Sequence, residues 1–191
     1  MSRQLRLALG TLLLPLLLPA VPAAALDVVY LVRHAEKVDD WPAARDLDPF
    51  RPLSCTGAVR AEALAARLKG EGIAAIYTSR TTRTMATGEP LAKATGSPLL
   101  PDDVSTKPEE MAGFLTTLRQ KHAADKAVLI VGHSNTVPEL LQKLGATPEC
   151  FGRLGIKPGS LLTDAYDGLW RIDLKKQGCE AIERETLAAG R

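Results

Sequence analysis

Three short apolar runs, each passing directly into a cluster of ionisable and hydroxyl side chains, constrain this chain more than any other feature. Residues 28–32 (VVYLV), 73–77 (IAAIY) and 127–131 (AVLIV) show no apolar–polar alternation. Such continuous β-branched and aliphatic runs suit strands buried on both faces. The first is followed by Arg33, His34, Glu36 and Lys37, and the second by Thr78, Ser79, Arg80 and Arg83. The third ends in Gly132, His133, Ser134 and Asn135.

Helical patterns separate the strands. Ser54 or Thr56 caps a helix whose apolar stripe is Ala61, Leu64, Ala65 and Leu68, stopped by Gly70 and Gly72. Residues 81–94 read as a helix that Pro90 breaks or kinks. Leu99 and Leu100 form a short strand. Pro108 opens a helix with Met111, Phe114, Leu115 and Leu118 on one face and Glu109 and Glu110 in its first turn. Thr136 and Pro138 begin a helix ending at Gly145, and residues 160–174 read as a hairpin turning at Asp167-Gly168. Residues 39–52, rich in Asp and Pro, are a loop or lid. This alternation predicts an α/β fold with a mostly parallel central sheet covered by helices.

The segment 1–25 stands apart. Arg3 and Arg6 precede an apolar stretch over 7–21, which meets Ala23-Ala24-Ala25. A positive start, a short apolar centre and a small-residue exit describe a secretory signal peptide, with cleavage after Ala25. Pro15 and Pro19 interrupt the stretch and argue against a membrane span, so no stable insertion is expected once the signal is removed. The chain carries 24 basic and 22 acidic residues. Removing Arg3 and Arg6 leaves 22 of each, so the remainder, 26–191, is electroneutral. No basic run survives to suggest a nucleic-acid partner. In an exported protein a cysteine pair can close. Cys150–Cys179 is the preferred pair and Cys55 the thiol left over. No C-x-x-C spacing points to structural zinc.

Ligands of open α/β sheets bind outside the carboxyl ends of the strands. Parallel pairing therefore brings His34, His133, Arg33 and Arg83 to one edge. Guanidinium groups contact phosphate oxygens bidentately. A neutral imidazole beside them can attack phosphorus in line and form a phosphohistidine that water hydrolyses. No metal and no cofactor is called for, because positive charge is built into the site.

These residues resemble a known family. LVRHAEK at 31–37 looks like the signature of the histidine phosphatase superfamily, the phosphoglycerate-mutase-like proteins. PLSCTGAVRAEALAARL at 52–68 is similar to the helix after that signature. SRTTRT at 79–84 and VGHSNT at 131–136 match the serine-then-arginine and second-histidine motifs. The resemblance implies a three-layer α/β/α sandwich over 26–191, with His34 as nucleophile. It places Arg33, Arg83 and His133 around the phosphate. Ala35 stands where the family usually has glycine. The family often places an acidic residue after the next strand, and here Asp103 best fits the general acid, with Asp102, Glu109 and Glu110 as alternatives.

Blander roles fit other residues. His122, beside Lys121 at a helix end, reads as a solvated surface residue. Arg80 either reaches phosphate or lies exposed. Ser79 and Ser134 lack the G-x-S-x-G elbow of a serine nucleophile, and Ser134 caps or positions its loop. Glu36 and Lys37 pair with each other or with neighbours. Trp41 and Phe50 either contact substrate or pin their loop. The expectation is a periplasmic or secreted phosphatase acting on a small phosphorylated substrate or a phosphorylated envelope component. The alternatives are a non-catalytic phosphate-binding module, a phosphomutase, and a metallo-phosphohydrolase using His34 and His133 as ligands.

Overall fold

A computed structural model describes residues 26–103, 107–162 and 166–188. In chain order its elements are β1 (Val28–Arg33), α1 (Cys55–Leu68), β2 (Ile73–Thr78), α2 (Thr82–Thr95), β3 (Leu99–Pro101) and α3 (Met111–Lys121). There follow β4 (Ala127–Gly132), α4 (Thr136–Lys143), α5 (Pro148–Leu154), β5 (Ile156–Lys157), β6 (Ser160–Leu161), β7 (Gly168–Asp173) and β8 (Ile182–Thr186).

The main sheet runs β3-β2-β4-β1-β7-β8. The first four strands are mutually parallel, and β7 and β8 add an antiparallel edge. The sheet is thus mostly parallel with helices on both faces, as the alternation of segments predicts. Side chains alternate across β1. Val28, Tyr30 and Val32 pack with Leu64 and Leu68 of α1 and Leu91 of α2. Val29 and Leu31 face Met111, Leu115 and Leu118 of α3 and Leu140 and Leu141 of α4. All six residues of β1 are buried, which explains its unbroken apolar run. Ser54 is the cap of α1, its Oγ accepting from Gly57 N at 3.1 Å.

Several expectations are corrected. Residues 160–174 do not form one hairpin. Ser160 and Leu161 pair back onto β5 across Gly159, whose φ of +70° suits a tight turn. Gly168 opens β7, which pairs with β1 and β8 instead. The helix over Pro90 is continuous. The missing N–H costs one bond to Ala86, a residue that lines an open groove rather than the core. α3 begins at Met111 rather than at Pro108, because residues 107–110 form a turn in which Glu110 N donates to Lys107 O. His122 is buried, at 5% exposure, and not solvated. Its Nε2 lies 2.8 Å from Tyr77 Oη and its Nδ1 2.6 Å from Asp125 Oδ2, so two polar partners offset its burial.

Cys150 and Cys179 form a disulfide, and Cys55 is free and exposed. Segment 1–25 lies outside the described residues. Among those described, no helix is long and apolar enough to cross a membrane.

Candidate active site

Strand register brings the two histidines together. In the parallel β1–β4 pair Arg33 stands opposite Gly132, so His34 and His133 leave adjacent strands at the same level. His34 N donates to Gly132 O at 2.9 Å, and the two imidazoles pack edge to face with centroids 5.3 Å apart. Thr78 of β2 stands opposite Val131, which sets Ser79 beside the same edge. Ser79 Oγ lies 2.9 Å from His133 Nε2.

The loop that carries His34 is held by close packing. Ala35 N donates to Thr87 Oγ1 of α2 at 2.9 Å, and the Ala35 side chain is buried, so the methyl group in place of glycine is accommodated. Glu36 O accepts from Ser54 N, and a Cβ on Gly57 would fall 2.0 Å from that same oxygen. Only glycine lets α1 approach the loop so closely. On the other histidine, His133 N donates to Thr136 Oγ1 at 2.9 Å.

The ring nitrogens have distinct tasks. His34 Nδ1 is 2.8 Å from Ala35 O. A carbonyl only accepts, so Nδ1 carries the proton and Nε2 keeps its lone pair. Burial, reinforced by His133, Arg83 and Arg33, pushes the His34 pKa down to about 3, against an opposing contribution from the Ala35 carbonyl. Burial together with Arg83 and Arg33 lowers His133 to about 4, with Asp48 acting in the opposite sense. Both rings are therefore neutral near pH 7. Thr84 Oγ1 directs its proton to the carbonyls of Ser79 and Thr81. The Ser79 hydroxyl also meets the hydroxyls of Thr81 and Thr84, and the direction of its bond with His133 Nε2 follows the imidazole tautomer.

Arg33, His34, Lys37, Thr81, Arg83, His133, Ser134 and Asn135 line a cavity of about 300 Å³. Arg83 is almost wholly buried, and its Nε has no hydrogen-bond partner among the described residues. A buried guanidinium donor without an acceptor is costly unless a ligand supplies one. Its NH1 and NH2 are held by Asp48, through the backbone oxygen at 2.7 Å and Oδ2 at 3.0 Å. Arg33 stacks on Tyr166, 3.9 Å from the ring centroid, and donates to its hydroxyl at 3.2 Å.

His34, Arg33, Arg83 and His133 thus meet in one cavity. Asp103 sits instead beside Arg80, its Oδ1 accepting from Arg80 N at 3.3 Å and its Oδ2 3.4 Å from Arg80 Nε. Arg80 itself is exposed. Trp41 pins its own loop by donating to Leu47 O, and Phe50 is exposed. Glu36 pairs with Arg60 and Lys37 with Asp48. Sequence reasoning missed Asp48 and Tyr166. Asp48 shares its loop with Asp39, Asp40 and Asp46, and no spacing rule singles it out.

Comparison with known proteins agrees with this geometry. The model of the histidine phosphatase superfamily (branch 1) matches residues 29–104. The chain is 42% identical over 74 residues to Probable phosphoglycerate mutase GpmB of Photorhabdus laumondii, covering 38% of this chain. The matched segment spans about a third of that relative's length, 34%. The protein histidine phosphatase SixA complexed with tungstate superposes with a TM-score of 0.60 at 18% identity, covering 83% of this chain and 96% of that one. The alpha-ribazole phosphatase from Shigella flexneri gives 0.58 at 15% identity, with 85% and 97% covered. The structural likenesses are likenesses of fold.

Proposed function

We propose, on the premise that this chain has the histidine phosphatase fold and matches that family's sequence over residues 29–104, that it is an exported phosphomonoesterase working through a phosphohistidine on His34. The observation that carries this reading is the Nδ1–H of His34 on Ala35 O, which leaves Nε2 as a neutral nucleophile beside Arg83, Arg33 and His133. The lone pair of Nε2 forms the N–P bond while the ester P–O bond breaks and the alcohol leaves. Arg33, Arg83 and His133 meet the charge on the phosphoryl oxygens. Water then attacks phosphorus, the N–P bond breaks, and inorganic phosphate leaves a neutral His34. The guanidinium groups supply the positive charge a metal ion would bring.

Asp103 is the proposed proton donor to the leaving oxygen. Asp102 N donates to Thr78 O at 2.6 Å, which ties the start of this segment to the end of β2, on the edge where the cavity opens. To donate, Asp103 must turn from Arg80 toward the substrate. The superposition on a SixA solved with tungstate, a tetrahedral oxyanion like phosphate, supports a phosphate-sized ligand. The signal-like segment 1–25 supports a periplasmic or secreted location and, with it, a small phosphorylated substrate or a phosphorylated envelope component.

The test is turnover of p-nitrophenyl phosphate by the wild type and by His34→Ala. Wild-type turnover that resists EDTA, is blocked by vanadate and is lost in the variant is the expected result. Absence of wild-type turnover would favour a phosphate-binding module, and retained turnover in the variant would remove His34 as nucleophile. Asp103→Asn should slow an alkyl phosphate far more than p-nitrophenyl phosphate, whose leaving group needs little protonation.

A further inference from the structure

Asp48 occupies the cation that the proposed reaction needs most. It lies in the one-turn 3-10 helix Asp48–Phe50 of the lid loop. Its Oδ2 takes Arg83 NH2 at 3.0 Å, its backbone oxygen takes NH1 at 2.7 Å, and its Oδ1 is 3.9 Å from Lys37 Nζ. Arg83 Nε is buried and has no hydrogen-bond partner among the described residues. A phosphate entering the cavity must share Arg83 NH2 with a carboxylate that is already there.

The two contacts to Arg83 do different things. The carbonyl contact belongs to the backbone, and the backbone is fixed without the carboxylate. Phe50 N donates to Leu47 O, Arg51 N to Asp48 O and Trp41 Nε1 to Leu47 O. Arg83 is further set by α2, which Gly88 lets approach β2 so closely that a Cβ there would lie 2.8 Å from Ile76 Cγ2. The guanidinium is therefore placed by packing and by a carbonyl. The carboxylate adds negative charge to a cation that is already positioned. It is half exposed, 44% for the side chain, and faces the cavity lining at both Lys37 and Arg83.

We propose that Asp48 sets the strength with which this pocket holds phosphate: a resident anion on Arg83 that keeps the site from trapping its own product. The inference rests on the phosphatase reading above, because it concerns the same cavity. Like charges brought together repel, and a bound phosphate dianion next to the Asp48 carboxylate is such a pair. The repulsion acts on substrate and on inorganic phosphate alike. Its benefit falls on product release, where a pocket of unopposed guanidinium groups would bind a small dianion long after the ester bond has broken. The Asp48 carboxylate sets affinity and exchanges no bond with the substrate.

The measurement is the affinity of inorganic phosphate and of vanadate for the purified protein, by calorimetry and by competitive inhibition, in wild type, Asp48→Asn and Asp48→Glu. Asparagine keeps the shape and the acceptor for Arg83 but removes the charge. Phosphate should bind Asp48→Asn about tenfold more tightly than wild type, while Asp48→Glu stays near wild type. Equal or weaker binding in Asp48→Asn would overturn the proposal and leave Asp48 as a buttress, since a loosened Arg83 weakens binding. Tightening in Asp48→Glu to the same degree would also overturn it, because that variant retains the charge. A wild type that binds no phosphate at all would overturn the phosphate pocket itself, and this inference with it.

Discussion

Arg60 grips both carboxylate oxygens of Glu36, with Nε at 3.0 and 2.9 Å from Oε1 and Oε2 and NH2 at 2.6 Å from Oε1. Glu36 lies two residues past His34, so the pair ties the loop that carries His34 to α1. Burial alone would raise the Glu36 carboxyl, but the Arg60 hydrogen bonds and charge outweigh it, and the pKa is lowered from 4.5. A depressed carboxyl contributes stability that is complete above its unfolded value and lost as pH falls through the folded one. Arg60→Leu should cost about 1–3 kcal/mol at neutral pH in urea denaturation. The gap from wild type should narrow below pH 4.5 to what the Arg60–Leu187 O bond contributes.

Two glycines in helices should respond oppositely to alanine. At Gly57 the new Cβ would meet Glu36 O at 2.0 Å, whereas at Gly113 nothing lies within 4 Å. Gly57→Ala is expected to lose at least ~1–3 kcal/mol and to lower turnover, because the clash pushes on the loop that carries His34. Gly113→Ala is expected to gain ~0.5–1 kcal/mol by favouring helix. Paired thermal melts and activity measurements check both.

The histidines carry a pH signature. With folded values of about 3 for His34 and about 4 for His133, against 6.5 unfolded, the unfolded chain binds more protons throughout that interval. Their contribution to stability is complete above 6.5 and is lost as pH falls toward the folded values. Imidazole resonances of both rings should hold their neutral positions from pH 8 down to about 5. A titration midpoint near the ordinary histidine value in either ring would contradict the burial described. His34→Gln and His133→Gln should each flatten the acid limb of the stability profile.

The Cys150–Cys179 bridge closes a segment with a sequence separation of 29. Constraint of the unfolded chain by such a loop is worth ~3–4 kcal/mol. A reductant should therefore lower the melting temperature. Alkylation without reductant should label Cys55, exposed at the start of α1, and leave the paired cysteines unlabelled. Labelling of three thiols by mass spectrometry would show that the bridge does not form.

The parallel strands and the helices of the first two-thirds could be read from the chain because their signals are local. Unbroken apolar runs mark β1, β2 and β4, and a capping serine and an apolar stripe mark α1. The meeting of His34 with His133 followed from the rule that parallel strands bring their carboxyl ends to one edge; that β1 and β4 are neighbours is a property of the fold. What stayed hidden depends on partners distant in sequence. β8 (IERET) alternates weakly, and its register is set by Trp170 and its neighbours on β7. His122 looked like a surface residue because nothing near it in the chain reveals Tyr77, 45 residues earlier. Asp48 was one of several loop acids until Arg83 selected it. Pro90 misled for another reason, since one missing hydrogen bond on a solvent-facing turn does not outweigh the packing of α2 on α1.

Arg60 has one more contact, from its NH1 to the carbonyl oxygen of Leu187 at 2.8 Å, just past the end of β8. The clamp behind the nucleophile is thus completed by nearly the last residues described. A chain emerging one residue at a time would have its histidines, its arginines and four parallel strands in place before that anchor existed. The loop that carries His34 should gain its full anchorage only once β8 docks, rather than in step with the parallel strands.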